Sequence, residues 1–327
     1  MAKIFYDNDA DTSELKNLTC AVIGYGNQGR AHALNLKDSG IKVLVCARRD
    51  SKGHEQAIKD GFEPCDIAEA ISRCQLIATL LPDQVMPGIF NNEILPNLKR
   101  PTIFVFAHGF VVREKLIKLP ADADILLVAP TGPGRLLRSY FQAGKGLPAL
   151  IAIEQDGSGR AFARCLAYAR AIGSTRAGAI LTTFAEETIT DLFCEQAVLC
   201  GGLPELIKAS FNTLVEAGYQ PELAYISCLK EVKLIADLLF ENGLAGMRKS
   251  ISDTAQFGGA KAGPRLIDGH VKEKLVETLT RIESGQFAKE YLAQAKKDQK
   301  FLHDFLARER NSPLCKIEKQ LHKTLHF

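Results

Sequence analysis

Asp191 and Glu195 stand four residues apart in the stretch Thr190-Asp191-Leu192-Phe193-Cys194-Glu195-Gln196-Ala197-Val198-Leu199-Cys200-Gly201-Gly202. On a helix that spacing places both carboxylates on one face. Two ionised carboxylates roughly 6 Å apart repel by about 3 kcal/mol at an effective dielectric near 20. A divalent cation relieves the repulsion, and an oxygen-only donor set favours Mg2+ or Mn2+ over zinc. The plain alternative is a helix face that meets solvent or a lysine. The other residues of the stretch read as a buried helix, with Gly201-Gly202 as its C-terminal cap.

A second chemistry is written near the start of the chain. Thr19-Cys20-Ala21-Val22-Ile23 reads as a strand, Gly24-Tyr25-Gly26-Asn27-Gln28-Gly29 follows it, and Arg30-Ala31-His32-Ala33-Leu34 reads as the opening of a helix. In that context the first glycine permits a tight turn, the second lets the backbone approach a pyrophosphate, and the third allows close strand–helix packing. A merely structural glycine turn is the alternative. The next strand ends at Val45-Cys46, and the loop Ala47-Arg48-Arg49-Asp50-Ser51-Lys52 falls where an adenine ribose is expected. Arg48, Arg49, Ser51 and Lys52 offer the donors that a 2′-phosphate needs, so the loop favours NADPH. Asp50 could instead accept from a ribose hydroxyl, and a solvated basic loop is the remaining alternative.

These side chains need elements to hold them. Short β-branched and aliphatic runs recur at 19–23, 42–46, 76–81, 103–107, 125–129 and 149–153, with helix-compatible stretches between most of them. Their near-continuous apolarity suits strands covered on both faces, which predicts an α/β fold with a doubly wound parallel sheet of Rossmann type. Beyond about residue 182 helical patterns take over, punctuated by Gly201-Gly202-Leu203-Pro204, Gly218-Tyr219-Gln220-Pro221, Gly243 and Gly258-Gly259. A chain of 327 residues exceeds the usual single core, so we divide it into a nucleotide-binding domain at 1–182 and an all-helical domain at 183–327. Pro221 fits the first position of a helix, and the charged tail after 295 keeps helical apolar spacing.

Composition narrows the class. A chain 46% hydrophobic and 24% charged suits a globular protein. Its net charge of +3 is dispersed, which argues against a nucleic-acid partner or a polybasic membrane contact. No apolar run reaches the ~18 residues of a membrane span, and the N-terminus lacks the apolar core of a signal peptide. The nine cysteines form no C-x-x-C pair and mostly lie in apolar runs, reading as reduced core residues of a cytoplasmic protein.

Several further motifs run in order along the chain. They are Leu81-Pro82-Asp83, Phe106-Ala107-His108-Gly109-Phe110, Ala129-Pro130-x-Gly132-Pro133-Gly134, Glu186-Glu187 ahead of the Asp191–Gly202 stretch, and Gly243-Leu244-Ala245-Gly246-Met247-Arg248-x-Ser250-Ile251-Ser252-Asp253-Thr254-Ala255. With the glycine loop they resemble ketol-acid reductoisomerase, in its short form, over nearly the whole chain. The resemblance implies a Rossmann domain, a knotted all-α C-terminal domain, and a homodimer or larger homo-oligomer whose active site is shared between subunits. It further implies conversion of 2-aceto-2-hydroxy acids to 2,3-dihydroxy acids by a Mg2+-dependent alkyl shift followed by hydride transfer from NADPH. Under it Asp191 resembles the carboxylate that bridges two Mg2+ ions, Glu195 a ligand of one, and Glu231 a ligand supplied to the partner's site. Ser252 resembles the residue that holds the substrate carboxylate, and His108 lies where nicotinamide and substrate meet. Pro82, Asp83 and Gly134 join the glycine loop among the cofactor contacts.

Three positions break the pattern. Ser227 stands where the family has a glutamate four residues before Glu231, and Thr131 replaces the family's active-site lysine, with Arg135 in place of a histidine. One negative and one positive charge are lost together. The alkyl shift needs two metals on the substrate alkoxide and carbonyl, whereas hydride transfer needs only an electrophilic C=O or C=N at the nicotinamide. The leading expectation is an NADPH-dependent, Mg2+-assisted reductase acting on a keto or hydroxy-keto acid other than acetolactate. An orthodox reductoisomerase and a catalytically silent dinucleotide-binding protein are the alternatives.

Overall fold

The β-branched runs gain the most from a pleated surface buried on both faces, and they form one sheet. The computed structural model describes residues 1–99, 101–295 and 300–324. Its strands are β1 (Ile4–Phe5), β2 (Thr19–Ile23), β3 (Lys42–Cys46), β4 (Leu76–Thr79), β5 (Ile103–Phe106), β6 (Asp124–Pro130), β7 (Ala149–Asp156) and β8 (Ala179–Leu181). They lie in the order β1-β8-β7-β6-β5-β4-β2-β3. Every residue of β2, β4 and β5 is buried, as expected of central strands with both faces covered.

Pairing is parallel from β3 through β2, β4 and β5 to β6. The expected doubly wound parallel sheet is present over these strands, and the flank beyond β6 departs from it. β7 returns antiparallel to β6, and β1 pairs antiparallel with β8, so one flank is mixed. An apolar run reports burial, not direction; direction is set by how the chain returns after Gly134–Gln142. β1 and β8, of two and three residues, are too short to leave a periodic signal. β2 has β3 on one side and β4 on the other, so the chain reverses its direction of travel across the sheet at β2. Ligands of open α/β sheets sit at such a switch point, outside the carboxyl ends of the strands.

The chain divides into compact units Met1–Thr190 and Asp191–Phe327, the boundary falling within the helix Phe184–Cys194. The second unit is helical among the described residues. Pro221 does open a helix, Pro221–Tyr225, and the tail continues as Lys300–Arg310 and Pro313–Leu321, with 296–299 and 325–327 outside the described residues. Gly243 breaks the long helix Glu231–Lys249 with φ 66° and ψ 179°, a conformation open only to glycine.

One buried cluster of this unit comprises Phe211, Ala224, Tyr225, Leu314 and Leu321 with partly buried neighbours. Other large apolar side chains are exposed, Phe240 at 84%, Phe257 at 69% and Leu244 at 65%. The stretch 190–202 is likewise not a buried helix within one chain, since Val198 and Leu199 are exposed. Gly201-Gly202 does not cap it in a left-handed turn. Both glycines instead face carbonyls, a β-carbon on either falling 2.1 Å from the oxygen of Gln196 or Ala197, and the next helix, Gly202–Glu216, starts there. All nine cysteines are free; only Cys20, Cys46, Cys74 and Cys165 are buried, so the expectation of core thiols holds for the α/β unit alone.

Candidate dinucleotide and metal site

The glycine loop lies at the carboxyl end of β2, and each glycine there has a separable reason. Gly24 has φ +98°, and a β-carbon would fall 2.4 Å from the carbonyl oxygen of Leu80. A β-carbon on Gly29 would fall 1.9 Å from the carbonyl oxygen of Gly24, so the helix Asn27–Asp38 can approach the turn only without a side chain. Gly26 is different: it is exposed and nothing lies within 4 Å of its would-be β-carbon. The fold has no need of a glycine there, whereas a pyrophosphate drawn to the helix N-terminus does. A nicotinamide dinucleotide therefore fits this cradle.

Gly134 closes the loop from β6. Its β-carbon would fall 2.1 Å from the carbonyl oxygen of Asn27, Gln28 Nε2 donates to Gly132 O at 2.9 Å, and Arg135 N donates to Asn27 Oδ1 at 3.1 Å. Tyr25 is buried and donates its hydroxyl to Asp60 at 2.9 Å, a carboxylate that also takes Arg30 at 2.6 Å. Pro82 and Asp83 form the turn after β4, where Pro82 O accepts from Val85 N and Met86 N. In the loop after β3, Ser51 caps the helix Lys52–Lys59 by accepting from His54 N at 3.2 Å. Arg48 and Lys52 are exposed, and Arg49 lies 3.5 Å from an equally exposed Asp66. Asp50 takes the left-handed conformation at φ 59°, which Asp tolerates.

His108 follows β5, and its Nδ1 lies 3.0 Å from Glu187 Oε1. Glu187, only 3% exposed, also accepts from Gly109 N at 2.8 Å through Oε2. Gly109 is required by this contact: a β-carbon would fall 2.5 Å from Thr188 Oγ1 and 2.9 Å from Glu187 Oε2. Glu187, Asp191 and Glu195 follow one another at helical spacing, and ligand-capable atoms of His108, Glu187 and Asp191 lie within 4.8 Å of one another. Both oxygens of Glu187 already serve protein donors, so its part is to orient the histidine. The exposed carboxylates Asp191 and Glu195 are the hard oxygen donors that suit Mg2+.

Glu195 begins a π-helical turn, Glu195–Leu199, and Ser227 lies in another, Ile226–Lys230, immediately before Glu231. Such turns collect at functional sites and leave no mark in sequence periodicity. Glu231 is exposed in the first turn of Glu231–Lys249; Ser252 is the exposed N-cap of Asp253–Leu266, accepting from Ala255 N at 3.2 Å. Among the described residues, neither Glu195 nor Glu231 enters a cluster of three metal-ligating side chains. Thr131 donates its hydroxyl to Pro148 O at 3.0 Å. Glu187 is the site residue that sequence reasoning passed over, although its place one turn before Asp191 was readable.

A glycine cradle at the switch point of an open sheet, followed by a helical unit, defines a dinucleotide-dependent oxidoreductase. Residues 14–178 match the acetohydroxy acid isomeroreductase NADPH-binding domain, and residues 184–327 match the ketol-acid reductoisomerase C-terminal domain. The chain belongs to the ketol-acid reductoisomerase family. An NADH-preferring ketol-acid reductoisomerase from an uncultured archean is 40% identical, with a TM-score of 0.96 over 99% of this chain and 100% of that one. The fold alone is shared with a putative oxidoreductase from Jannaschia sp. CCS1, at 15% identity and TM-score 0.63 over 84% of this chain and 98% of that one. It is shared equally with a semialdehyde dehydrogenase NAD-binding protein from Cupriavidus necator, at 18% and 0.61 over 81% and 99%.

Proposed function

We propose that this member of the family is an NADPH-dependent, Mg2+-assisted reductase whose substrate is a keto or hydroxy-keto acid other than acetolactate. The carrying observation is position 131, where the Thr131 hydroxyl is spent on Pro148 O, at a place where the resemblance implies a lysine, as it implies a glutamate at Ser227. When bound, the dinucleotide supplies hydride and Mg2+ polarises the substrate oxygen. Asp191 and Glu195 would hold the metal, with Glu231 completing a partner's site. Glu187 draws the ring proton of His108 to Nδ1 and fixes the ring. The basic loop at Arg48, Arg49, Ser51 and Lys52 supports NADPH; the archean relative's preference makes NADH the outcome to test against.

The exposed Phe240, Leu244 and Phe257 support a homodimer or larger homo-oligomer, since apolar area of that kind is ordinarily covered. A knotted helical domain, the division near 182, and a cytoplasmic site of action complete the reading. Among the described residues no helix is long and apolar enough to cross a membrane.

The orthodox reductoisomerase is the second reading, favoured by 40% identity to one such enzyme over 99% of this chain. Turnover of acetolactate is to be compared with reduction of a 2-keto-3-hydroxy acid, which bypasses the alkyl shift. Our reading expects the bypass substrate to be far the better. Ser227→Glu with Thr131→Lys should then raise acetolactate turnover by more than the two single changes together, because residues in one charge network are not additive. Comparable rates on both substrates in wild type would return the protein to ordinary branched-chain synthesis.

A further inference from the structure

A helix N-terminus presents unpaired amide donors and a positive partial charge, which sequences ordinarily answer with a capping side chain and acidic first-turn residues. Asn27–Asp38 does neither, and Gly134–Gln142 brings neither of its own, Asn27 Oδ1 taking its Arg135 amide. Their N-caps are Gly26 and Pro133, neither makes a side-chain cap, and neither first turn carries an acid. The two starts are side by side, joined by the Arg135 N to Asn27 Oδ1 bond and by the contact of Gly134 with the Asn27 carbonyl.

Into this corner the sequence adds a further cation. Arg135 occupies the second position of its helix, where a positive charge opposes the helix dipole. The neighbouring arginines are answered within the fold: Arg30 pairs with Asp60 at 2.6 Å, and Arg138 with Asp38 at 2.7 Å and Asn35 at 2.8 Å. Arg135 is exposed and pairs with no carboxylate among the described residues. Its amide is fixed to Asn27, beside the open space at Gly26.

We infer that Arg135 is a dinucleotide-binding residue whose guanidinium takes the pyrophosphate lying at Gly26. A planar fork of donors matches phosphate oxygens, and the anion satisfies at once the open helix start at Gly26 and the unanswered cation. The assignment rests on the dinucleotide reading of the glycine loop and adds to it a residue outside that loop. The cation that position 131 lacks thus stands four residues later, where it serves the cofactor.

The test is equilibrium titration of ADP-ribose, which carries the pyrophosphate but neither the nicotinamide nor a 2′-phosphate, into the full chain. Arg135→Ala should weaken it about ten- to a hundredfold, the worth of charge-assisted hydrogen bonds. Arg135→Lys should recover part of that loss. Melting temperatures of the variants should match wild type, because the side chain is exposed. Binding by Arg135→Ala within twofold of wild type would overturn the inference while leaving the dinucleotide site standing. So would a loss confined to binding of a 2-keto acid. Failure of wild type to bind ADP-ribose at all would remove both.

Discussion

Oε1 of the buried Glu187 lies 3.0 Å from Nδ1 of His108. The same carboxylate takes the Gly109 amide through its other oxygen, so one side chain orients both the ring and the backbone that bears it. Glu187→Gln keeps an acceptor for one donor but presents an amide to the other. Turnover should fall about tenfold or more while the dinucleotide dissociation constant stays within about twofold, as for other outer-shell partners of site histidines. Stability should drop by about 1–3 kcal/mol. Undiminished turnover in a variant that still folds would show that the ring is held by something else.

The loop glycines should separate by assay. Gly29→Ala drives a methyl to 1.9 Å from a backbone oxygen and should cost about 3 kcal/mol or more, visible as a much lower melting temperature. Gly26 has φ −85° and open space, so Gly26→Ala should melt within about 1 kcal/mol of wild type yet bind the dinucleotide poorly. Equal loss of folding in both variants would refute the division of roles.

Arg48→Ala should weaken NADPH by about 1.5–3 kcal/mol and leave NADH nearly untouched, as expected if the guanidinium reads a 2′-phosphate. Fluorescence titration of both cofactors decides it. Equal losses would place the phosphate elsewhere, and a wild type that prefers NADH would align this chain with its archean relative.

Burial of His32, whose Nδ1 meets the Tyr168 hydroxyl at 3.0 Å, pushes its pKa down from 6.5 to about 3. Below pH 6.5 the unfolded chain gains a proton that the folded chain refuses. His32 therefore costs no stability above that pH and progressively more as pH falls towards 3, by up to about 1.4 kcal/mol per pH unit. Denaturant midpoints measured from pH 7 to 4 should fall more steeply for wild type than for His32→Gln. Parallel slopes would show that the native state accommodates the charge.

Much of this architecture was legible because burial on both faces leaves a chemical signature. All six apolar runs became strands, and the glycine loop met its turn as the spacing required. Strand direction was not legible, because β7 is as apolar at Leu150–Ile153 as its parallel neighbours. Glu187 hid for a related reason. Glu186, beside it, stays exposed and serves Thr182, and only the fold decides which member of a Glu-Glu pair turns inward. The π turns at Glu195 and Ile226 insert a residue without altering composition, so a helical reading passes through them unaware.

Gly26 also bears on the history of this chain. Gly24 and Gly29 would be retained by any descendant that merely stays folded, for each is wedged against a carbonyl. Gly26 meets no such obstacle, and random change there would pass unnoticed by folding. In a lineage freed from holding its ligand, that position should be among the first to drift. Surveys of divergent copies can use it as a clock for loss of dinucleotide binding, read independently of what has happened at Thr131 or Ser227.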